Sequence, residues 1–240
     1  MQKTLNLSPN FSKKKRSYKD IKFVIFHYTG MQSEIASIKR LLSVKSKVSC
    51  HYLINRKGKV LQMVYDNNIA WHAGKSRWKN FKNLNKNSIG IELVNKGHRL
   101  GYENFTKLQI NSLIDLCKFL KKKYKIKKEN FLGHSDIAPL RKNDPGEKFP
   151  WKKMSKHNFG KWYNLNNNHH SLNNGHYRKQ FFLNLKKIGY RYFSLNKKSK
   201  LDKFIITAFQ QRYLSNKVSG NLDKKTLKIC EFLAKKSKLS

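Results

Sequence analysis

The segment GHSDIAPLRKNDPG, residues 133–146, carries more information about this protein than any other part of the chain. It places an imidazole at His134, an ammonium group at Lys142 and a carboxylate at Asp144 in one turn-rich loop with two glycines and two prolines. Loops held on a rigid scaffold are where functional residues concentrate. Imidazole nitrogen and carboxylate oxygen are both ligands that zinc accepts, so the segment predicts part of a zinc site.

A catalytic zinc ion needs a third protein ligand and an open position for water. The candidate is His27, which ends an apolar run that begins at Ile21 and is followed by a polar turn. Such a run predicts a short strand with His27 at its end. His51 and His72 are the rival ligands.

Five short motifs follow one another along residues 20–155: HYT at 27–29, CHYLI at 50–54, AWHAG at 70–74, SIGIE at 88–92 and the segment 133–146. Their order is the one seen in type-2 N-acetylmuramoyl-L-alanine amidases, and over these residues the chain resembles that family. This is the zinc amidase family related to phage-lysozyme-type amidases and peptidoglycan recognition proteins. The resemblance implies hydrolysis of the amide bond between N-acetylmuramic acid and L-alanine in peptidoglycan or muropeptides.

The resemblance also implies roles for individual residues. The family's zinc ligands are two histidines and an aspartate or cysteine, and they fall on His27, His134 and Asp144. Its catalytic glutamate falls on Glu92, and its transition-state lysine falls on Lys142. The implied cofactor is therefore Zn²⁺.

These roles suit the chemistry of an amide, which is a poor electrophile with a poor leaving group. Zinc lowers the pKa of water and polarises a carbonyl. Glu92 can take a proton from the water and return it to the leaving nitrogen. Lys142 can stabilise the tetrahedral oxyanion. The phage-lysozyme branch has a catalytic tyrosine where this chain has Cys50, so the chain looks closer to the bacterial amidases that use the glutamate.

Three further residues are candidate substrate contacts: Trp71, His72 and His51. Trp71 and His72 fit the wall of a cleft, where an aromatic ring can pack on a sugar or a stem peptide. For His51, a packed and hydrogen-bonded residue is the alternative interpretation. Asp136 is expected to organise the loop or to orient His134 from behind.

The pattern of strands and helices predicts an α/β fold with a mixed central sheet flanked by helices. In the strand predicted from Ser88 to Asn95, three apolar residues point to one face. Ser88, Gly90 and Glu92 point to the other face, and two small residues beside one carboxylate are typical of a strand that lines a cleft. A short strand from Asn130 to Gly133 is expected to lead directly to the proposed ligand.

The clearest helix is predicted from Thr106 to Tyr124. Thr106 and Gln109 form the capping box that opens it, and apolar residues follow at helical spacing. A shorter helix is predicted from Ser33 to Leu42, and residues 48–64 read as a β-hairpin.

The composition divides the chain into four parts. They are a basic, loosely held N-terminal arm (1–19), the zinc amidase domain (20–163), an Asn-rich linker (164–176) and a small three-helix domain (177–240). The last part resembles the peptidoglycan-binding-like domain found beside many cell-wall hydrolases, and a stabilising appendage is the alternative. We expect a chain cut near Asn167 to keep a folded, active catalytic domain.

The formal charge of +40 comes from 53 Lys and Arg against 13 Asp and Glu. Such a charge attracts polyanions, either nucleic acid or an anionic cell-wall polymer. The alternative is a general bias towards lysine on the solvated surface. No recognised basic-aromatic motif accompanies the charge, so we expect no specific nucleic-acid partner. The rival functions are a basic nucleic-acid binder and a peptidoglycan recognition protein without catalysis.

The compartment is left open by the sequence. No apolar stretch approaches the length that crosses a bilayer, and the N-terminus lacks the apolar run of a secretory signal peptide. This favours the cytoplasm, whereas a wall-binding-like domain favours the cell envelope. Three dispersed cysteines predict no disulfide framework, and we expect a monomer. Intact wall and released muropeptides, including those with 1,6-anhydro ends, all remain open as substrates.

Overall fold

The computed structural model describes residues 4–165 and 177–237. Its strands are β1 (Thr4–Leu5), β2 (Phe11–Ser12), β3 (Phe23–Tyr28), β4 (Tyr52–Ile54), β5 (Val60–Gln62), β6 (Ile69–Ala70), β7 (Arg77–Trp78), β8 (Phe81–Lys82), β9 (Ser88–Leu93) and β10 (Phe131–Gly133). Its α-helices are α1 (Glu34–Leu42), α2 (Lys107–Tyr124), α3 (His134–Ile137), α4 (Trp151–Lys156), α5 (Tyr177–Ile188), α6 (Asp202–Tyr213) and α7 (Lys224–Lys235).

The centre of the molecule is a six-stranded sheet in the order β1-β5-β4-β9-β3-β10. The pairs β4–β9, β9–β3 and β3–β10 are parallel. The pair β4–β5 is antiparallel, as the predicted hairpin requires. The sheet is therefore mixed and flanked by helices, which confirms the predicted fold class. Parallel strands are buried on both faces, and this explains why β3 reads as an almost continuous apolar run.

One face of the sheet is covered by α2. Ile89 and Ile91 of β9 belong to the same buried cluster as Ile110 and Leu113 of the helix, as the alternation along β9 predicts. The helix begins at the predicted capping box, in which the Thr106 hydroxyl accepts from the Gln109 amide and the Gln109 side chain accepts from the Thr106 amide.

The opposite face is covered in part by the C-terminal helices. Phe23 and Ile25 of β3 lie in one buried cluster with Phe181 of α5 and Phe209 of α6. His27 follows on the same face of β3, since side chains alternate along a strand. The three predicted C-terminal helices are thus present, and their buried apolar side chains belong to the same cluster as those of β3. The division at 164–176 stays a prediction, and residues 166–176 lie outside the described residues.

The N-terminal segment is docked on the body of the protein, and the expectation of a loosely held arm was wrong for its described residues. β1 extends the main sheet, and β2 pairs with β6. The Ser8 hydroxyl donates to the Leu41 carbonyl, and the buried Arg16 guanidinium donates to the Ser88 carbonyl at 2.7 Å. Polar side chains therefore fix the segment by donating hydrogen bonds to main-chain carbonyls. Such bonds require no apolar periodicity, so no pattern in the sequence indicated the docking. Residues 1–3 are not among those described.

Among the helices of residues 4–165 and 177–237, none combines the length and apolar character needed to span a bilayer.

Candidate functional site

The candidate site lies where three neighbouring parallel strands end. His27 and Glu92 are register partners near the ends of β3 and β9. His134 follows Gly133, the last residue of β10, which pairs with Phe26 of β3. The carboxyl ends of adjacent parallel strands meet at one edge of a sheet, and this topology brings residues from distant parts of the sequence together.

His27, His134 and Asp144 form a buried cluster of three potential metal ligands. The Asp144 Oδ2 atom lies 2.9 Å from Nδ1 of His27 and 3.0 Å from Nδ1 of His134, and the two Nδ1 atoms are 2.9 Å apart. Two imidazole nitrogens and one carboxylate oxygen that converge in this way suit a cation that all three can share. The donor set is the one that zinc accepts, and three protein ligands leave a position open.

The electrostatics of the cluster also suit ligation. Burial, followed by the neighbouring His134, lowers the pKa of His27 to about 4, so its imidazole is neutral at physiological pH. Burial alone would raise the pKa of Asp144, but the two histidines outweigh it and hold the pKa well below its usual range. A neutral imidazole beside an ionised carboxylate is the protonation state that metal binding requires.

The imidazole rings of His27 and His134 are each held through the Nε2 atom, on the side opposite the Nδ1 atom that faces Asp144. Nε2 of His134 lies 3.1 Å from the Ala73 carbonyl oxygen, and Nε2 of His27 lies 3.0 Å from Nδ1 of His72. His72 in turn contacts the Ser88 hydroxyl through its Nε2 atom at 3.2 Å. Contacts of this kind fix the tautomer and the orientation of metal-binding histidines.

Gly90 makes room for this arrangement on β9. A Cβ atom at residue 90 would lie 2.4 Å from Cγ of His72, which is far inside van der Waals contact. The small residue predicted beside the carboxylate therefore leaves space for a histidine that supports a proposed ligand. The sequence placed His72 in the cleft wall, and the structure places it both in that wall and against His27.

Glu92, Lys142 and Trp71 line a cavity of about 450 Å³ that opens over the cluster. The Glu92 Oε2 atom is buried and has no hydrogen-bond partner among the described residues. Burial, followed by the negative charge of Asp144, raises the pKa of Glu92 to about 8. An unpartnered carboxylate with a raised pKa in a cavity is a candidate for proton transfer.

The cavity also contains cations that the sequence did not single out. Arg40, Lys96, Arg99 and Arg141 line it together with Lys142. In a chain with 53 Lys and Arg, no local signal distinguishes the basic residues that face a cavity from those on the surface. The positive lining favours a substrate that carries carboxylates.

His51 lies outside this cavity wall and is fully buried. Its Nδ1 atom accepts from the Gly90 amide at 3.0 Å, and its Nε2 atom lies 2.8 Å from the Arg16 guanidinium. Burial, followed by Arg16, lowers the pKa of His51 to about 3. The geometry matches the packed, hydrogen-bonded alternative, which places His51 among the supports of β9.

The segment that carries His134 is partly helical, whereas the sequence analysis described it only as a loop. After β10 the chain enters the short helix α3, and the Asp136 carboxylate accepts from the Gly133 amide at 2.7 Å. The Ser135 amide donates to the Asp144 carbonyl at 2.8 Å. These bonds hold the two ends of the segment together, so that His134 and Asp144 face the same point.

Comparison with known proteins agrees with this site. The family model described as N-acetylmuramoyl-L-alanine amidase matches residues 17–147, which is more than half of the chain. N-acetylmuramoyl-L-alanine amidase AmiD of Escherichia coli (strain K12) is 38% identical over 160 residues, covering 61% of this chain and 56% of the relative. The chain thus spans little more than half the length of that relative. The 1,6-anhydro-N-acetylmuramyl-L-alanine amidase AmpD of Haemophilus influenzae is 33% identical over 169 residues, covering 61% of this chain and 86% of AmpD.

A solved structure extends the likeness to the C-terminal helices. The complex of AmiD from E. coli with the substrate anhydro-N-acetylmuramic acid-L-Ala-D-gamma-Glu-L-Lys matches with a TM-score of 0.81 and 30% identity. It covers 94% of this chain and 93% of the AmiD chain, so the likeness in fold includes both the sheet and the helical C-terminal region. With the family model, the fold and the converging ligand atoms in agreement, this chain belongs to the N-acetylmuramoyl-L-alanine amidase family.

Proposed function

We propose that this protein hydrolyses the amide bond between N-acetylmuramic acid and L-alanine, with a zinc ion held by His27, His134 and Asp144. The observation that carries the proposal is the convergence of these three ligand atoms on the wall of one cavity, which Glu92 also lines. The Oε2 atom of Glu92 has no hydrogen-bond partner within residues 4–165 and 177–237. Zinc in this position supplies positive charge that acidifies water and polarises the substrate carbonyl.

The residues of the chain have separate tasks in the reaction. Glu92 accepts a proton from the attacking water and returns it to the nitrogen that leaves with L-alanine. Its buried position raises its proton affinity, which suits both the acceptance and the return of the proton. Lys142 donates to the oxygen on which negative charge develops, and a cation placed in advance costs no reorganisation during the reaction.

The proposed substrates are muropeptides and the peptide-bearing strands of peptidoglycan. The AmiD complex contains an anhydromuramyl tripeptide, and the stem peptide of that ligand carries carboxylates. The basic lining at Arg40, Arg99 and Arg141 would pair with such carboxylates, while Trp71 offers a flat surface to the sugar or the peptide.

Product analysis tests the proposal. The zinc-loaded protein is incubated with anhydro-N-acetylmuramic acid-L-Ala-D-γ-Glu-L-Lys, with its non-anhydro counterpart and with sacculi, and the products are identified by mass spectrometry. We expect free L-Ala-D-γ-Glu-L-Lys and a muramic acid with a free lactyl carboxylate from at least one of the two muropeptides. Binding without cleavage would indicate a recognition protein, and cleavage at another bond would refute the assigned reaction.

A further inference from the structure

A buried arginine from the C-terminal helices reaches the segment that carries His134. Arg212 of α6 is only 3% exposed. Its Nη1 atom donates to Oδ2 of Asp136, and its Nη2 atom donates to the Phe131 carbonyl at 3.1 Å. The guanidinium also lies 3.9 Å from the ring centroid of Trp151. Arg212 therefore holds residues on both sides of His134, one at the start of β10 and one within α3.

Both oxygen atoms of the Asp136 carboxylate accept hydrogen bonds. Besides the Arg212 guanidinium, its Oδ2 atom accepts from the Gly133 amide at 2.7 Å. Its Oδ1 atom accepts from the hydroxyl of Tyr190, a fully buried residue that directly follows Gly189 after α5. The Gly133 amide is the point where β10 ends, so this carboxylate fixes the turn from which the His134 ring projects.

We propose that Arg212 is a positioning residue for the metal site, acting on His134 through Asp136, with Tyr190 as its partner. The C-terminal helices are then part of the architecture of the site, in addition to any contact they make with the wall. The inference rests on the proposed function and adds residues that lie beyond the segment matched by the family model, which ends at residue 147.

The chain offers a matched control in Arg178 of α5. Its guanidinium pairs with the Asp202 carboxylate at 2.7 Å, donates to the Ser194 carbonyl at 3.0 Å and lies 4.7 Å from the Phe182 ring centroid. This is the same set of contacts, a carboxylate, a carbonyl and an aromatic ring, but all of them lie within residues 177–237. Loss of Arg178 disturbs the C-terminal helices without touching the segment that carries His134.

The test compares Arg212→Met with Arg178→Met in the full-length protein. Zinc affinity is measured by competition with a chromophoric chelator, and cobalt(II) absorption reports the geometry of the site. Residues that hydrogen-bond a metal ligand directly are typically worth roughly 10- to 100-fold in metal affinity, and Arg212 acts one residue further away, through Asp136. We expect Arg212→Met to weaken zinc binding by about tenfold, the lower end of that range, and to change the cobalt spectrum, whereas Arg178→Met should stay within about twofold of wild type.

Milder variants keep the test decisive where Arg212→Met fails to fold. Tyr190→Phe removes one hydrogen bond to Asp136, and Arg212→Lys keeps the charge but loses the paired geometry of the guanidinium. Both are expected to weaken zinc binding by a smaller factor. Wild-type zinc affinity and cobalt spectra in all three variants, or an equal loss in Arg178→Met, would overturn the inference.

A readout that needs no metal separates this inference from the proposed function. The ring ¹⁵N and ¹H resonances of His134 in metal-free protein should shift in Arg212→Met or Tyr190→Phe and stay unchanged in Arg178→Met. If wild-type protein binds no zinc, the proposed function fails, and the His134 resonances still decide the positioning role: unshifted resonances overturn it.

Discussion

Replacement of Glu92 by glutamine isolates proton transfer from metal binding. The Oε2 atom of Glu92 has no hydrogen-bond partner among the described residues, so replacing this atom in glutamine breaks no hydrogen bond to them. Glu92 is also outside the ligand cluster, so the metal should stay bound. What is lost is a general base, which is typically worth about 10²–10⁴ in rate. At about 1.4 kcal/mol per decade, this raises the activation barrier by roughly 3–5 kcal/mol.

The assay measures kcat on a muropeptide, zinc content and thermal stability on the same preparations. We expect Glu92→Gln to keep one zinc per chain and a near-wild-type Tm while kcat falls by the factor above. Asp144→Asn is the matched control, because Oδ2 of Asp144 contacts both Nδ1 atoms and its loss should weaken metal binding itself. Full activity of Glu92→Gln would refute its catalytic role. Loss of metal in Glu92→Gln, with metal retained in Asp144→Asn, would reverse the two roles.

Four further predictions follow from the same structure. Burial raises the pKa of Glu92 to about 8, and a bound cation lowers that pKa again. Since the base must be ionised, kcat/KM of the zinc-loaded protein should rise with pH through the lowered pKa of Glu92, and Glu92→Gln should lack that rise. In metal-free protein the folded state keeps a proton on Glu92 that the unfolded chain releases above the usual pKa of 4.5. The free energy of unfolding of the wild type should therefore fall between pH 4.5 and about 8, relative to that of Glu92→Gln. Chemical denaturation at several pH values measures this difference. Gly90→Ala places a Cβ atom 2.4 Å from Cγ of His72 and should weaken zinc binding and lower the Tm; wild-type values of both would show that His72 can move without consequence. Deletion of residues 177–240 exposes apolar side chains of β3 and should abolish cooperative unfolding, whereas a sharp transition with wild-type zinc affinity would restore the independent catalytic domain expected from sequence.

Local patterns predicted much of the fold because they depend on neighbouring residues. The alternation along β9 determines which side chains face α2 and which face the cleft, and the Thr106–Gln109 capping box marks where α2 begins. The pairing of His27 with His134 came from the resemblance to the amidase family, and the structure supplies its physical basis: each residue stands at the end of a short apolar strand, and adjacent parallel strands end at the same edge of the sheet.

The features that the sequence did not predict depend on long-range packing. Helical periodicity shows that α5 and α6 each have an apolar face but not which surface that face covers, so the shared core with Phe23 and Ile25 was not expected. Arg212 is one of 53 basic residues, and only its burial against Asp136 distinguishes it. The docking of the N-terminal segment depends on side-chain bonds to main-chain carbonyls, which no residue pattern marks.

A zinc titration tests the central claim most directly. Metal-free protein receives zinc in steps, and bound zinc and muropeptide hydrolysis are measured at each step. We predict that hydrolysis starts from zero, rises in proportion to bound zinc and levels off at one ion per chain, and that His27→Ala and Asp144→Asn shift the titration to much higher zinc concentrations. Hydrolysis by demonstrably metal-free protein, or a wild-type titration in both variants, would contradict the account.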